Sequence, residues 1–209
     1  MDCEPCVFVV DDDRALLTAI ERVLSSSGYK VHTFSSPAFF LEALPYEGPA
    51  CLVLDLRMPE LNGLDVQEWL LFKDIMMPTV FLSGAADVPS TAQAMRRGAV
   101  DFLVKPVDEN ELLEAVSRAL ATAVECRRRH REAEQSTARL ARLTPRERQV
   151  CELVARGLLN KQIAYELGTS EKTIKVHRGR VMHKLEVQSV AELVWLFSRI
   201  TVEQPVRHD

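Results

Sequence analysis

The sequence predicts an α/β fold: a doubly wound, five-stranded parallel sheet followed by a second, smaller all-α domain of four helices. Three observations carry this. First, apolar runs without alternation recur in the first half, and each ends on a polar group. Residues 7–10 (Val-Phe-Val-Val) run into Asp11-Asp12-Asp13, and 51–54 (Cys-Leu-Val-Leu) into Asp55. Residues 79–82 run into Ser83, and 102–104 into Lys105-Pro106. Such runs, separated by helical periodicity, read as strands buried on both faces. Second, from Leu143 onward the pattern is helical with short loops. Third, residues 1–125 carry 20 acids and 9 bases, whereas residues 126–209 carry 10 acids and 17 bases. Net charges of −11 and +7 point to two domains with different partners, the basic one suited to nucleic acid. They also permit the acidic half to lie over the basic one and mask it.

Taken in order, the strand at 7–10 precedes a helix over 13–27, with Leu16, Leu17, Ile20, Val23 and Leu24 at helical spacing and Gly28 as its stop. A second strand covers 30–34, and Pro37 opens a helix to Leu44. After the strand ending at Asp55, Pro59 and Asn62-Gly63 mark a loop. A helix then runs to Lys73, Pro78 introduces the fourth strand, and a helix over 88–97 ends at Gly98. The fifth strand closes at Lys105, and acids at 108–111 open a long helix in keeping with its dipole. Five βα units in about 120 residues complete a doubly wound domain.

From Leu112 a 4-3 repeat passes through Val116, Ala119, Ala123, Cys126, His130, Ala133, Thr137 and Leu140. Beyond Ala123 its seam is too weak to hold a coiled coil alone, leaving a helical connector, dimeric or simply solvated. In the last domain Thr144-Pro145-Arg-Glu147 is an N-cap with proline and a capping-box acid, opening a helix to Ala155. Asn160 caps a short helix through Glu166, and residues 168–170 turn. A basic helix covers 171–185, with Ile174, His177, Val181 and Leu185 facing the core. Ser189 caps a last helix over 190–199 with Val190, Leu193, Val194 and Phe197 on one face. Two helices across a short Gly-containing turn make a helix-turn-helix.

The chain has 209 residues, 47% apolar and 27% charged, enough for packed cores. No run is long enough to span a membrane and the N-terminus is not leader-like, so a cytoplasmic protein is expected. Cys3 and Cys6 have redox or zinc spacing but no second ligand pair, and the pair precedes a strand instead of following one. They read as structural.

Ligands and chemistry gather at strand C-termini in such a sheet. Three crowded carboxylates, Asp11, Asp12 and Asp55, repel one another, and a hard divalent cation relieves this. Oxygen ligation suits Mg²⁺ (or Mn²⁺), with the backbone carbonyl of Arg57 as a further ligand. A carboxylate beside such a cation can attack a phosphoryl group, whose oxygens the Ser83 hydroxyl and Lys105 would hold. An aspartyl-nucleophile phosphatase resembling the haloacid dehalogenases would need a second Asp two residues later as acid/base. That position is Arg57, which favours a slow switch over a turnover enzyme.

Val-Val-Asp11-Asp12-Asp, Leu-Asp55-Leu-Arg-Met-Pro, Leu-Ser83-Gly and Val-Lys105-Pro resemble the receiver domain of two-component response regulators. The resemblance implies a flavodoxin-like strand order 2-1-3-4-5 and phosphorylation of Asp55 by a sensor histidine kinase. Asp11 and Asp12 would hold the metal, and Ser83 and Lys105 would report the phosphoryl group. Phe102 would be the switch aromatic, and the Lys105–Pro106 bond would be cis. Self-phosphorylation and self-dephosphorylation would be the only catalysis, and both slow.

Leu143-Thr-Pro-Arg-Glu-Arg-Gln-Val, the segment 157–164 and Thr173-Ile-Lys-Val-His177 resemble the LuxR-type helix-turn-helix. The combination resembles the NarL/FixJ family, leaning toward FixJ. It implies a receiver domain over 1–124, a helical linker over 125–142 and a DNA-binding domain over 143–209. Lys175 and Val176 would sit nearest the bases, with Lys172, Thr173, Arg178, Arg180 and Lys184 on the DNA backbone. Phosphorylation would promote a homodimer through the helix over 88–97 and the fifth strand. The dimer would bind paired half-sites of promoter DNA, with the last helix pairing the DNA-binding domains and RNA polymerase as a further partner. Gly179 departs from relatives that carry a long basic side chain there. A constitutive DNA-binding protein with a scaffold receiver, and a phosphate sink, remain the other readings.

Overall fold

The computed structural model describes residues 4–59, 61–84 and 88–203, the side chains of 88–91 and 198–203 excepted. Cys3 lies outside these. The chain divides into two compact units, residues 1–128 and 129–209.

In the first unit the strands are β1 (Cys6–Val10), β2 (Lys30–Phe34), β3 (Ala50–Asp55), β4 (Thr79–Ser83) and β5 (Asp101–Val104). They form one parallel sheet in the order β2-β1-β3-β4-β5, as expected. Their crossovers are α1 (Arg14–Ser26), α2 (Pro37–Glu42), α3 (Gly63–Phe72) and α4 (Val88–Arg96), and α5 (Glu109–Ala141) follows β5. Every residue of β1, β3 and β4 is buried, which explains why their sequences do not alternate. One face packs Val7, Val9, Val53 and Leu82 against Leu17, Ile20 and Leu24 of α1 and Leu112, Val116 and Leu120 of α5. The other packs Phe8, Leu52, Leu54 and Phe81 against Phe40 of α2, Val66 and Leu70 of α3 and Ala94 of α4. Each layer brings helical stripes to strand positions of one parity, which fixes register.

The observed ends refine the expected ones. Asp13 caps α1 through its side chain, accepting from the Ala15 and Leu16 amides. The second helix stops at Glu42, two residues short of Leu44, because Leu44 precedes Pro45 and a residue before proline avoids helical geometry. Leu44–Pro45 and Lys105–Pro106 are both cis. The loop marked by Pro59 and Asn62-Gly63 lies between β3 and α3, and its end also starts the helix. Asn62 caps α3 in a capping box with Asp65, and Gly63 is the first helical residue. The segment read as a linker is helical to Ala141, within α5.

The second unit contains α6 (Pro145–Ala155), α7 (Asn160–Glu166), α8 (Glu171–Leu185) and α9 (Val190–Glu203), the last running beyond the expected 199. Its core joins Val150, Cys151 and Val154 of α6, Ile163 of α7, Ile174, Val181 and Leu185 of α8, and Leu193 and Leu196 of α9. Asn160 is not the cap of α7. Leu159 holds that position, its amide donating to Gln162 Oε1 at 2.8 Å. The buried stripe of α9 is Leu193 and Leu196 flanked by Val190 and Phe197, while Val194 is exposed. Leu196, outside the face read from the sequence, completes the buried stripe, while Val194 of that face stays at the surface.

Candidate functional site

The parallel register delivers Asp11, Asp12 and Asp55 to one edge, since Val10 pairs with Leu54 and each acid group follows at once. Their carboxylate oxygens lie within 4.8 Å of one another, with Asp11 and Asp55 buried and Asp12 exposed. Asp11 Oδ1 accepts from the Asp13 amide at 2.9 Å, and its Oδ2 from Lys105 Nζ at 2.7 Å. The same ammonium lies 3.1 Å from Asp55 Oδ2. Lys105 thus stands between two buried carboxylates, delivered there because the strand carrying it ends beside β4. Its backbone amide donates to the Ser83 carbonyl at 2.7 Å.

The charges are not fully compensated. Burial pushes the Asp55 carboxyl above the usual carboxylate range, and the neighbouring Asp11 adds to this. Lys105 and a backbone hydrogen bond from Arg57 only partly offset it. For Lys105 burial pulls the other way, but the hydrogen bonds and charges of Asp11 and Asp55 outweigh it and raise the ammonium above its ordinary value. The donor set is hard, anionic and open on the Asp12 side, which fits a small divalent cation. The Ser83 hydroxyl is buried and donates to the Gly84 carbonyl at 3.2 Å. Phe102 is half-buried against the second core layer. Cys6 is buried in β1, where burial raises its thiol, in keeping with a structural role.

One supporting residue escaped the sequence reading. Gly63 packs directly under Asp55: a Cβ there would lie 2.5 Å from the Asp55 carbonyl oxygen and 3.1 Å from Leu56 Cα. Its amide also donates to the Leu56 carbonyl at 2.9 Å. The start of α3 and the end of β3 therefore fit together only with glycine at this position.

In the second unit Lys172, Lys175, Val176, Gly179 and Arg180 are all exposed on α8, spaced i, i+3, i+4, i+7 and i+8. That is one face of a helix, basic with an apolar centre. A Cβ at Gly179 would meet nothing within 4 Å, so no packing among the described residues requires glycine. Thr173 is half-buried, its amide bonded to Ser170 Oγ in the N-terminal cap. Arg178 Nη1 donates to Asn160 Oδ1 at 2.9 Å and ties α8 to α7. Lys184, expected on the DNA backbone, is engaged internally: Nζ lies 2.6 Å from Glu147 Oε2 and 3.2 Å from the Arg142 carbonyl. Glu147 is buried and also accepts from the Thr144 amide and hydroxyl, so its charge draws the ammonium inward. His177, expected to be a packed, hydrogen-bonded core residue, is only half-buried, and its Nδ1 is buried with no hydrogen-bond partner among the described residues. Among the described residues no helix is long and apolar enough to cross a membrane.

Residues 7–117 match the family model described as the response regulator receiver domain, and residues 141–197 that of the luxR family of bacterial regulatory proteins. The response regulator protein TmoT of Ectopseudomonas mendocina is 41% identical over 95% of this chain and 90% of its own length. Nodulation protein W of Bradyrhizobium diazoefficiens is 43% identical over 90% of this chain and 83% of its own. The transcriptional regulatory protein FixJ of the same organism is 38% identical over 92% and 94%. Among solved structures, the response regulator StyR covers 94% of this chain and all of its own at 43% identity, with a TM-score of 0.85. Full-length FixJ from B. japonicum covers 98% and 100% at 36% identity, with a TM-score of 0.58. With an acid cluster at the sheet edge of the first unit, a basic helix-turn-helix in the second and relatives spanning both, the chain belongs to the NarL/FixJ family of two-component response regulators, transcription regulators built of a receiver and a LuxR-type DNA-binding domain.

Proposed function

We propose that Asp55 accepts a phosphoryl group from the phosphohistidine of a sensor kinase, and that the acylphosphate promotes dimerisation and promoter binding. An Asp55 oxygen forms the new P–O bond as the histidine N–P bond breaks. The observation that carries this is the convergence of Asp11, Asp12 and Asp55 within 4.8 Å, with Lys105 bridging the two buried acids. Asp11, Asp12, Asp55 and the Arg57 carbonyl would hold Mg²⁺ or Mn²⁺, which supplies charge neutralisation for the transferring group. Lys105, already placed between the carboxylates, orients the phosphoryl oxygens and takes up part of their charge. Ser83 gives up its bond to Gly84 to donate to another oxygen, and Phe102 turns with it. The product favours one of two pre-existing arrangements. Turnover at Asp55 is slow self-phosphorylation and self-dephosphorylation.

On DNA, Lys175 and Val176 face the bases, while Lys172, Arg180 and the more internal Thr173 and Arg178 serve the phosphates or hold the helix that does. Lys184 serves the fold. RNA polymerase is a further partner, the working form is a cytoplasmic homodimer, and the domains are 1–124, 125–142 and 143–209. The test measures oligomeric state and binding to promoter DNA with Mg²⁺, with and without beryllofluoride, a mimic of the aspartyl phosphate. The unaltered chain should dimerise and bind more tightly with the mimic, and Asp55→Asn should not respond. Equal dimerisation and binding in all four samples would leave the receiver a scaffold.

A further inference from the structure

At the end of the sheet away from the acid cluster, the first unit encloses a cavity of about 250 Å³. Gln67 and Leu70 of α3 form one wall, Met77 and Thr79 at the start of β4 the back, and Cys126 of α5 the opposite wall. The mouth is open: Met76 and Leu71 on its rim are 71% and 56% exposed. Gln67 is 5% exposed, and its Oε1 is buried behind the cavity wall without a hydrogen-bond partner among the described residues. A buried acceptor left unpaired is uncommon and unfavourable. The Gln67 amide is also loosely held. Its Nε2 reaches the Ala94 and Arg97 carbonyls only at 3.5 Å each, the outer limit of such bonds. It can therefore turn toward the cavity at small loss.

We propose that this cavity is a binding site for a small, mainly apolar molecule of one or two rings carrying a single N–H or O–H donor, received by Gln67 Oε1. The size argues for this, since an apolar cavity of about 150 Å³ takes up benzene and drug-sized ligands need about 300 Å³ or more. The lining argues for it as well. Methionine thioethers pack well on ring edges. Of the polar side chains in the lining, the Thr79 and Thr122 hydroxyls donate to the Met77 and Arg118 carbonyls and Arg97 to the Leu64 carbonyl, which leaves Gln67 Oε1 as the side-chain acceptor with an unmet bond. No residue of the acid cluster takes part, so the site stands whether or not the phosphoryl reading does.

Indole is the probe, because it donates one N–H and accepts nothing; benzofuran is its shape-mate without the donor. The full chain, labelled with ¹³C-methyl methionine, is titrated with each. Saturable shifts at Met76 and Met77 with Met182 unmoved, together with protection of Cys126 from maleimide alkylation, are the expected result. Benzofuran should bind about ten-fold more weakly, and Gln67→Leu should bring the two to parity. Cys126→Phe, on a half-buried helix position, should close the cavity without touching the core and abolish the shifts. Shifts that do not saturate, that appear equally at Met182, or that survive Cys126→Phe would overturn the site. Equal affinity of both probes for the unaltered chain would overturn the role of Gln67.

Discussion

Lys184→Met is the sharpest test of how the DNA-binding unit is built, because the sequence assigned that lysine to DNA and the structure gives it to Glu147. The Glu147 carboxyl is pulled from 4.5 to about 2, first by the hydrogen bond from Lys184, then by the Thr144 amide, with burial opposing. At about 1.4 kcal/mol per pH unit, these contacts together stabilise the folded state by about 3 kcal/mol at neutral pH. The Thr144 bonds survive the substitution, so Lys184→Met should cost about 2 kcal/mol, most of it from a carboxylate left buried with too few donors. Glu147→Gln keeps an acceptor for Thr144 and frees an ammonium that is already one-third exposed, so it should cost nearer 1 kcal/mol. The double variant should reveal a coupling of about 1 kcal/mol. The sign with pH follows from a depressed carboxyl. The stabilisation is full above about pH 4.5 and is lost as pH falls toward 2, so Lys184→Met should move acid unfolding to higher pH. The assay is urea unfolding in a Trp69→Phe background, where Trp195 of α9 becomes the sole tryptophan. A change below 0.5 kcal/mol with an unmoved acid limb would refute the reasoning. So would a loss of one phosphate's worth of salt dependence in DNA binding, which would return Lys184 to the DNA backbone.

Gly63→Ala should destabilise the receiver unit by about 2–4 kcal/mol, since the new Cβ meets backbone atoms that cannot yield; thermal unfolding checks this, and an unchanged Tm contradicts it. Phosphorylation by acetyl phosphate should fall in the same variant, because the Asp55 carbonyl is the atom displaced. Lys175→Ala should cost about 1–3 kcal/mol of affinity with relaxed preference at one base pair, whereas a uniform loss across sequences with a shallower salt slope would make it a phosphate contact. Asp55→Asn, besides losing its response to beryllofluoride, should raise the receiver's stability by on the order of 1 kcal/mol at neutral pH. A lower Tm would show that the carboxylate is well compensated where it sits.

What the sequence made legible is what short-range pattern encodes. Fully apolar runs gave the buried strands, and the parallel register then had to gather Asp11, Asp55, Ser83 and Lys105 at one edge. The readings that failed or fell short needed three-dimensional partners. Asn62-Gly63 marks the loop correctly, but the need for glycine there shows only when the carbonyl of Asp55 is seen 2.5 Å from where a Cβ would stand. A basic residue late in α8 looks like a phosphate contact until Glu147, 37 residues earlier, is found buried beneath it. Asn160 looks like a cap because Asn is a good one, but the Gln162 side chain had already taken the capping bond and left Asn160 to Arg178. Each is a long-range or competing contact that local propensity cannot weigh.

Two of the three buried carboxylates among the described residues, Glu147 and Asp55, show how differently burial can leave a charge compensated. Glu147 is surrounded by donors and is held well below the ordinary range, so its charge favours the folded state. Asp55 is held above that range, by burial first and by Asp11 second, although Lys105 lies 3.1 Å away. By linkage, ionised Asp55 works against the folded receiver at neutral pH, and any cation that binds the acid cluster stabilises the fold as it binds. A site that is electrostatically incomplete is one whose equilibrium a small added charge can move. The Glu147 site, complete within its own unit, has nothing to gain from a ligand. On this ground the acid edge is the place where an added charge can shift the fold, while the Glu147–Lys184 pair ties the end of α8 to the start of α6.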